Sequence, residues 1–320
     1  MPRRILTLTR RDYFSDRRAR ISISRTPRQF PMGQHRHEFF EIAVVLSGGG
    51  IHVTGGFRHR LEAGDVLFLD PHRAHGYEEP QGLNLLNILI RDDALARFGR
   101  ELAHRPGYHA LFRLGPAARG KERGAGGFTQ RVRLSPRELE QIEEWATRIE
   151  EGEKPFGVRT RTRSRLLEEA YLALIVDMLS RKYGQTRGRG EAPASPSGSG
   201  TAPPRLHVRL GRVLSWIEAN LAQPIRLADL AARAGMSERT FHRAFRAATG
   251  TSPHAYVAKS RLTRAAERLA DPASDESISE TAQGCGFTDS NYFSRAFLRF
   301  SGKTPKAYRA AQRKARRSPH

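Results

Sequence analysis

The sequence predicts an α+β protein of two domains: a strand-rich first half, barrel or sandwich, carrying a pair of helices, and an all-α second half built on a tandem helix-turn-helix. Three observations carry that expectation. Residues 241–256, FHRAFRAATGTSPHAY, recur fifty-two positions later as FSRAFLRFSGKTPKAY, so a helical module is duplicated. Far upstream, short apolar and β-branched blocks are separated by glycine pairs, the mark of strands joined by tight turns. Between the halves, GQTRGRGEAPASPSGSGTAPP at 184–204 supplies Gly, Pro, Ser and Thr where a core would need apolar residues. A chain of 320 residues suits two domains. The expected organisation is a domain over 1–183, a flexible linker over 184–204 and a second domain over 205–320.

Taken in order, 38–46 and 65–69 read as strands, with Gly48-Gly49-Gly50 and Gly55-Gly56 as separators. The basic, Gly-rich stretch 115–127 has no apolar periodicity and reads as an exposed loop. Ser135-Pro136-Arg137-Glu138 then opens a helix, with a hydroxyl at the N-cap, Pro at the first position and Glu at the third, and the helix runs to about Glu151. A second helix over 159–182 carries Leu166, Ala170, Ala173, Leu174, Val176 and Leu179 at three-to-four spacing. That apolar stripe must bury against something.

The chemistry of this half centres on QHRHEFFEI. Residues of one parity share a face of a strand, so His35, His37 and Glu41, with Phe39, are expected to point one way. His75 follows one strand and turn later in GDVLFLDPHRAHGY. Two imidazoles, a carboxylate and a distant third imidazole form an acceptable set for a divalent transition metal. The same groups, joined by Tyr77, Arg73, Asn84 and Asn87, equally suit a pocket that hydrogen-bonds a small polar ligand, or a plain structural role. The segment resembles the cupin barrel, whose first motif is His-x-His-x(3,4)-Glu and whose second places a His after a Gly-Asp strand and a Pro. Gly64-Asp65, Pro71 and His75 occupy those places. The resemblance implies a cupin-like β-barrel. In its sensing form, with no cofactor and no metal, His35, His37, Glu41, His75 and Tyr77 would bind an effector; His35, His37, Glu41 and His75 are the metal candidates.

In the second half, AARAGMS at 231–237 and TAQGCGFT at 281–288 share a pattern: a small-residue helix, a Gly, one apolar residue, then a hydroxyl. That is helix, tight turn, second helix, with units expected at about 225–250 and 277–302. The second helix of such a unit can enter a DNA major groove. In unit one Ser237 is the expected cap, and Arg239, His242, Arg243 and Arg246 fall on one polar stripe, with Thr240 grouped beside them and Phe241 and Phe245 opposite. In unit two the corresponding stripe holds Ser290, Asn291, Ser294 and Arg295, with Phe293 and Phe297 inward. Arg pairs two donors with guanine and Asn suits adenine, whereas Lys303 and Lys306 suit phosphates. A connecting helix of seventeen residues, 253–269, spans about 25 Å, so two such helices could enter successive major grooves about 34 Å apart.

This segment resembles the AraC/XylS family of bacterial transcription regulators. The signature runs Gly286-Phe287-Thr288-Asp289-Ser290-Asn291-Tyr292-Phe293-Ser294-Arg295-Ala296-Phe297, then Gly302-Lys303-Thr304-Pro305-Lys306-Ala307-Tyr308-Arg309, and Leu298 departs from the Lys often found there. HRHEFFEIAVVLSGGGIHV through LNLLNILI is similar to the effector domains of rhamnose-operon regulators. The resemblance implies a sequence-specific DNA-binding regulator, with an activator the expectation, controlled by a small effector, a sugar such as L-rhamnose. It also implies a homodimer formed through the 159–182 helix, with packing of that stripe onto the barrel as the competing view. RNA polymerase would be a partner of an activator. The alternative from another class is a metal-dependent cupin enzyme with a fused DNA-binding domain; no acid and base pair at a convincing spacing favours it.

Composition agrees with a polyanionic partner, double-stranded DNA first. Lys plus Arg number 55 against 33 acidic residues, a net charge of +22, of which the segment from Arg205 carries +12. A nucleoid-type protein without sequence preference would match the charge but not the sensor-like half. The single Cys285 excludes an internal disulfide and fits a reducing cytosol with a packing role. No run of about eighteen apolar residues is present, so no membrane partner and a cytoplasmic location are expected.

Overall fold

The computed structural model describes residues 5–14, 19–55, 57–71, 73–99, 101–114, 131–151, 164–185 and 204–317. The expected loop at 115–127 and nearly all of the expected linker fall outside them. Two compact units divide between Gly211 and Arg212.

Eight strands of the first unit form one sheet: β1 (Leu6–Leu8), β2 (Ile21–Thr26), β3 (Met32–His37), β4 (Phe40–Thr54), β5 (Phe57–Glu62), β6 (Asp65–Leu69), β7 (His75–Ile90) and β8 (Arg131–Arg133). The order is β1-β3-β7-β4-β6-β8, with β2 added on β7 and β5 on β4. The apolar blocks are continuous because both faces are buried. Ile42, Val44, Val66, Phe68, Leu86, Ile88 and Ile90 face a helical layer, whereas Ala43, Val45, Leu67, Leu69 and Leu85 fill the other side. The Gly48-Gly49-Gly50 stretch does not end a strand, as the sequence pattern implied. β4 runs through it, and its register against β7 slips between Val45 and Ile51.

That slip is a bulged region, and it reverses which parity faces inward. Asp65, fully buried, ties β8 to this sheet by accepting from Arg131 Nε at 2.9 Å and Arg133 Nε at 2.8 Å.

Short helices α1 (Arg10–Tyr13), α2 (Asp92–Arg97) and α3 (Pro106–Tyr108), the last continuing as a π-helical turn His109–Leu114, precede the helical pair α4 (Pro136–Glu151) and α5 (Arg165–Gln185). The Ser135 cap forms as expected, since Ser135 N and Oγ both donate to Glu138 Oε2 at 2.7 Å. For α5 the inward face matches the stripe the spacing selected only at Val176 and Leu179. Leu172, Ile175, Val176, Leu179 and Tyr183 are buried, whereas Leu166 is 76% and Leu174 44% exposed. The helix is apolar on two opposite faces, so the buried set hid the exposed set in the periodicity. Residues 159–163 of the expected helix lie outside those described.

The second unit is helical: α6 (Pro204–Ala219, within which the division falls), α7 (Leu227–Ala234), α8 (Glu238–Thr249), α9 (Pro253–Ala270), α10 (Ile278–Gly284), α11 (Ser290–Ser301) and α12 (Pro305–Arg317). Gly235 ends α7 at φ 60°, a conformation only Gly adopts cheaply. In the second copy Gly286 takes that role at φ 84°, and a Cβ there would lie 2.2 Å from the Leu221 carbonyl oxygen. The duplication extends to ring geometry. Phe241 and Phe245 lie 5.4 Å apart, and Phe293 and Phe297 5.5 Å. Phe245 meets Tyr256 edge-on at 5.6 Å, and Phe297 meets Tyr308 edge-on at 5.4 Å. Cys285 is buried in the second core, and burial holds its thiol pKa up despite the opposing Arg268 charge.

Candidate functional site

The second unit places the two expected reading surfaces on α8 and α11. On α8, Phe241, Phe245 and Ala248 anchor one face, which turns Arg239, Arg243 and Arg246 to solvent. None of these guanidiniums makes an ion pair among the described residues, so their charge is available to an anion. Ser237 accepts from Thr240 N at 3.4 Å and donates to Thr240 Oγ1 at 2.9 Å, so both hydroxyls first serve the helix start. His242 stands apart. It is half-buried and lines a groove of about 660 Å³ together with Leu230, His254, Val257, Asp289 and Arg295.

On α11, Phe293 and Phe297 are buried, and Ser290, Asn291 and Arg295 are exposed with Ser294 half-buried. The helix cap is Asp289 and not the Thr288 hydroxyl that the repeat pattern singled out. Its carboxylate accepts from Asn291 N at 2.7 Å and Tyr292 N at 3.0 Å, and those bonds hold its pKa below the carboxylate range. Counted from the positive-φ Gly to the cap, Gly235 to Ser237 and Gly286 to Asp289, the second turn is one residue longer than the first. Lys303 and Lys306 are exposed around the start of α12. Leu298, 44% exposed, occupies the place that Arg246 holds in the first copy.

In the first unit a two-residue bend, Glu38-Phe39, separates β3 from β4, so one unbroken strand does not align His35, His37 and Glu41. They still converge, because β4 returns beside β7, which carries His75 and Tyr77. His37 Nε2 lies 3.1 Å from Glu41 Oε2, a charge contact more than an aligned hydrogen bond. The rings of His35 and His75 are 4.2 Å apart. Phe39, wedged against Tyr13 and Phe14, stacks on His37 at 4.8 Å. Tyr77 is buried, and its hydroxyl and Asn87 Oδ1 have no hydrogen-bond partner among the described residues.

Electrostatics divide the histidines. Burial opposes a charge on His37, but Glu41 and the Phe39 carbonyl outweigh it and hold the pKa above the ordinary value. Burial likewise works to raise the Glu41 pKa, and the His37 ring reverses this to a net lowering. Burial keeps His75 well below its ordinary value and His35 below, both neutral imidazoles near pH 7. The Tyr77 phenol is pushed well up, first by burial and then by Glu41.

His52 belongs to the same interior, and sequence reasoning passed over it. It is fully buried with its ring 5.6 Å from those of His75 and Tyr77, and burial, then His59 and Arg73, push its pKa down to about 3. The reversal of parity across the β4 bulge concealed it; the Gly48-Gly49-Gly50 run was the available signal. The cupin resemblance carries a metal at this place, and the donor set fits one. One ligand atom from each of His37, Glu41 and His75 lies within 4.8 Å of the other two, and His75 Nε2 is buried without a partner.

A cupin-like ligand-binding domain followed by tandem helix-turn-helix units defines a class, the effector-controlled DNA-binding transcription regulators. Comparison with known proteins agrees. Residues 21–176 match the AraC-like ligand binding domain and residues 230–311 a helix-turn-helix domain. The chain belongs to the AraC family.

It is 29% identical over 298 residues to an HTH-type transcriptional activator RhaS of Escherichia fergusonii, covering 93% of this chain and 95% of that one. A RhaS of Pectobacterium carotovorum is 28% identical over 299 residues, with the same coverages. Among solved structures, the DNA-binding domain of AdpA in complex with a target DNA is 39% identical, over 35% of this chain and 98% of that domain, at a TM-score of 0.33. The two family matches and the relatives that span the whole chain make the protein a DNA-binding transcription regulator. No helix among the described residues is long and apolar enough to cross a membrane.

Proposed function

We propose that this regulator reads a two-part DNA site with α8 and α11, and that a small polar effector held inside the barrel controls it. The carrying observation is that the duplicated Phe scaffold turns unpaired Arg239, Arg243 and Arg246 outward on α8 and Arg295 outward on α11. Arg243 and Arg239 would address guanine, Asn291 adenine and Arg295 guanine, with Lys303 and Lys306 on phosphates. Ser237, Thr240 and Ser290 would act at the helix starts, and His242 and Ser294 at the margins.

For the effector, His35, His37, Glu41, His75 and Tyr77 line the barrel interior, and a sugar such as L-rhamnose suits their mix of hydrogen-bond donors and acceptors, the Glu41 carboxylate among them. The polar groups left without partners at Tyr77 and Asn87 support a hydroxyl-bearing ligand. Activation through RNA polymerase follows the naming of the relatives as activators. Action is by binding and not by turnover, in the cytoplasm. The chain pairs as a homodimer through the exposed Leu166, Ala170 and Leu174 face of α5, while the opposite face packs on the sheet.

Selection from random duplex DNA at physiological salt tests the reading. The expected product is a consensus of two segments about one helical turn apart. Enrichment of no sequence would overturn it. L-rhamnose at 100 times its dissociation constant should stabilise the protein by about 2.7 kcal/mol.

A further inference from the structure

We propose that the second unit holds a ligand site of its own: the groove between its two helix-turn-helix modules takes an organic anion with an apolar body, and its occupation excludes DNA. The groove encloses about 660 Å³, inside the range of about 300–1,000 Å³ typical of small-molecule sites. Both modules build it. Leu230 comes from α7, His242 from α8, Val257 from α9, Phe287 from the turn before α11, and Arg295 from α11.

Floor and rim differ in chemistry. Leu230, Pro253, Val257 and Phe287 are buried and make the floor apolar, which suits a hydrocarbon chain or an aromatic ring and offers a bare phosphate nothing to bond. The charge around that floor is lopsided. Arg261 and Arg295 stand against one carboxylate, Asp289, which already accepts from Asn291 N and Tyr292 N. Arg261 donates to the Leu221 and Gln223 carbonyl oxygens at 2.9 and 2.7 Å, so its cation is fixed in the wall. Arg295 is exposed and forms no ion pair among the described residues. Two helices also begin in this wall, α9 at Pro253 and α11 after Asp289, and their positive ends add to the same sign. A carboxylate or phosphate head group is the charge this rim lacks, and a guanidinium presents a planar fork of donors for it.

Such a ligand differs from the polar effector of the barrel in both charge and apolar bulk. His242 and Arg295 lie on the two reading helices, so a ligand bound between them holds donors that DNA needs. That consequence rests on the proposed reading by α8 and α11; the ligand site rests on the groove alone.

The full chain carries the test, with 4-phenylbutyrate, 2-naphthoate and decanoate as probes and 4-phenylbutanol as the uncharged control. At least one anion should bind with a dissociation constant of about 1 mM or tighter and shift the methyl resonances of Ile225, Leu230 and Val257. The alcohol should bind at least about tenfold more weakly than 4-phenylbutyrate. Ala258→Phe, which sets a ring in the groove, should abolish the shifts, and Arg295→Gln should weaken the anion by about tenfold while leaving the alcohol unchanged. At about ten times its own dissociation constant, the anion should weaken binding of the selected DNA about tenfold.

No anion-induced shift at those three methyl-bearing residues overturns the site, even if an anion binds elsewhere on the chain. Shifts that persist in Ala258→Phe overturn it as well; if that variant does not melt as a folded protein, the wild-type shifts decide alone. Equal binding of 4-phenylbutyrate and 4-phenylbutanol overturns the anion assignment. Shifts without any change in DNA binding overturn the competition and leave the DNA reading standing. No anion bound, with Ala258→Phe weakening DNA, overturns the proposal in favour of the DNA backbone as occupant of the groove.

Discussion

The paired phenylalanines allow the duplication to be tested as energetics. Phe245 and Phe297 are both fully buried, and each meets a tyrosine edge-on, Tyr256 at 5.6 Å and Tyr308 at 5.4 Å. Replacing a buried Phe by Ala costs about 3–5 kcal/mol, and an edge-on aromatic pair contributes about 0.5–1.5 kcal/mol beyond its buried area. Each substitution therefore removes a large part of the roughly 5–15 kcal/mol that holds a domain folded. Double-mutant cycles, Phe245 with Tyr256 and Phe297 with Tyr308, should return the same coupling of about 1 kcal/mol.

Urea unfolding followed by Trp216 fluorescence in a Trp145→Phe background would read this. Trp216 lies in the second unit with the Arg233 guanidinium 4.0 Å above its ring, so its emission reports that unit. A cost below about 1 kcal/mol at either Phe, or couplings that differ in sign, would refute the claim that the two scaffolds are physically equivalent.

Three further outcomes are expected. Leu174→Glu, placing a charge on the exposed stripe of α5, should weaken self-association by at least about tenfold in sedimentation equilibrium and leave the fold intact. Asp289→Ala should lower the melting temperature of the second unit, while Thr288→Ala leaves it unchanged. Burial pushes the His109 pKa down to about 4, so the unfolded chain binds the proton first. Stability from this group is complete above about pH 6.5 and falls by about 3 kcal/mol towards pH 4, and His109→Gln should remove that acid limb in pH-dependent unfolding.

The second unit was legible because its scaffold is made of residues with few alternatives. Gly235 and Gly286 sit where positive φ is needed, and the Phe pairs must be inside, with Tyr256 and Tyr308 half-buried against them. Its detail was less legible. The turn before α11 holds one more residue, so the cap moved from a hydroxyl to Asp289, a residue type equally suited to capping. In the first unit two of the eight strands, β6 and the first part of β4, were visible as apolar blocks buried on both faces; His35, His37, Glu41 and His75 stood out by residue type, but the single-strand parity expected to align the first three is broken by the Glu38-Phe39 bend. His52 escaped because a bulge inverts strand parity, and α5 misled because its two apolar faces overlap in one periodic pattern. Both failures arise where local periodicity is set by tertiary contacts.

The measurement that bears most directly on the central claim compares Arg243→Ala and Arg295→Ala on the selected DNA site, by competition against variants altered in one segment at a time. Each substitution should cost about 1–3 kcal/mol of preference, Arg243→Ala in one segment and Arg295→Ala in the other, with the remaining segment read as before. Loss of preference at the same segment from both would contradict tandem reading by two different helices on one chain.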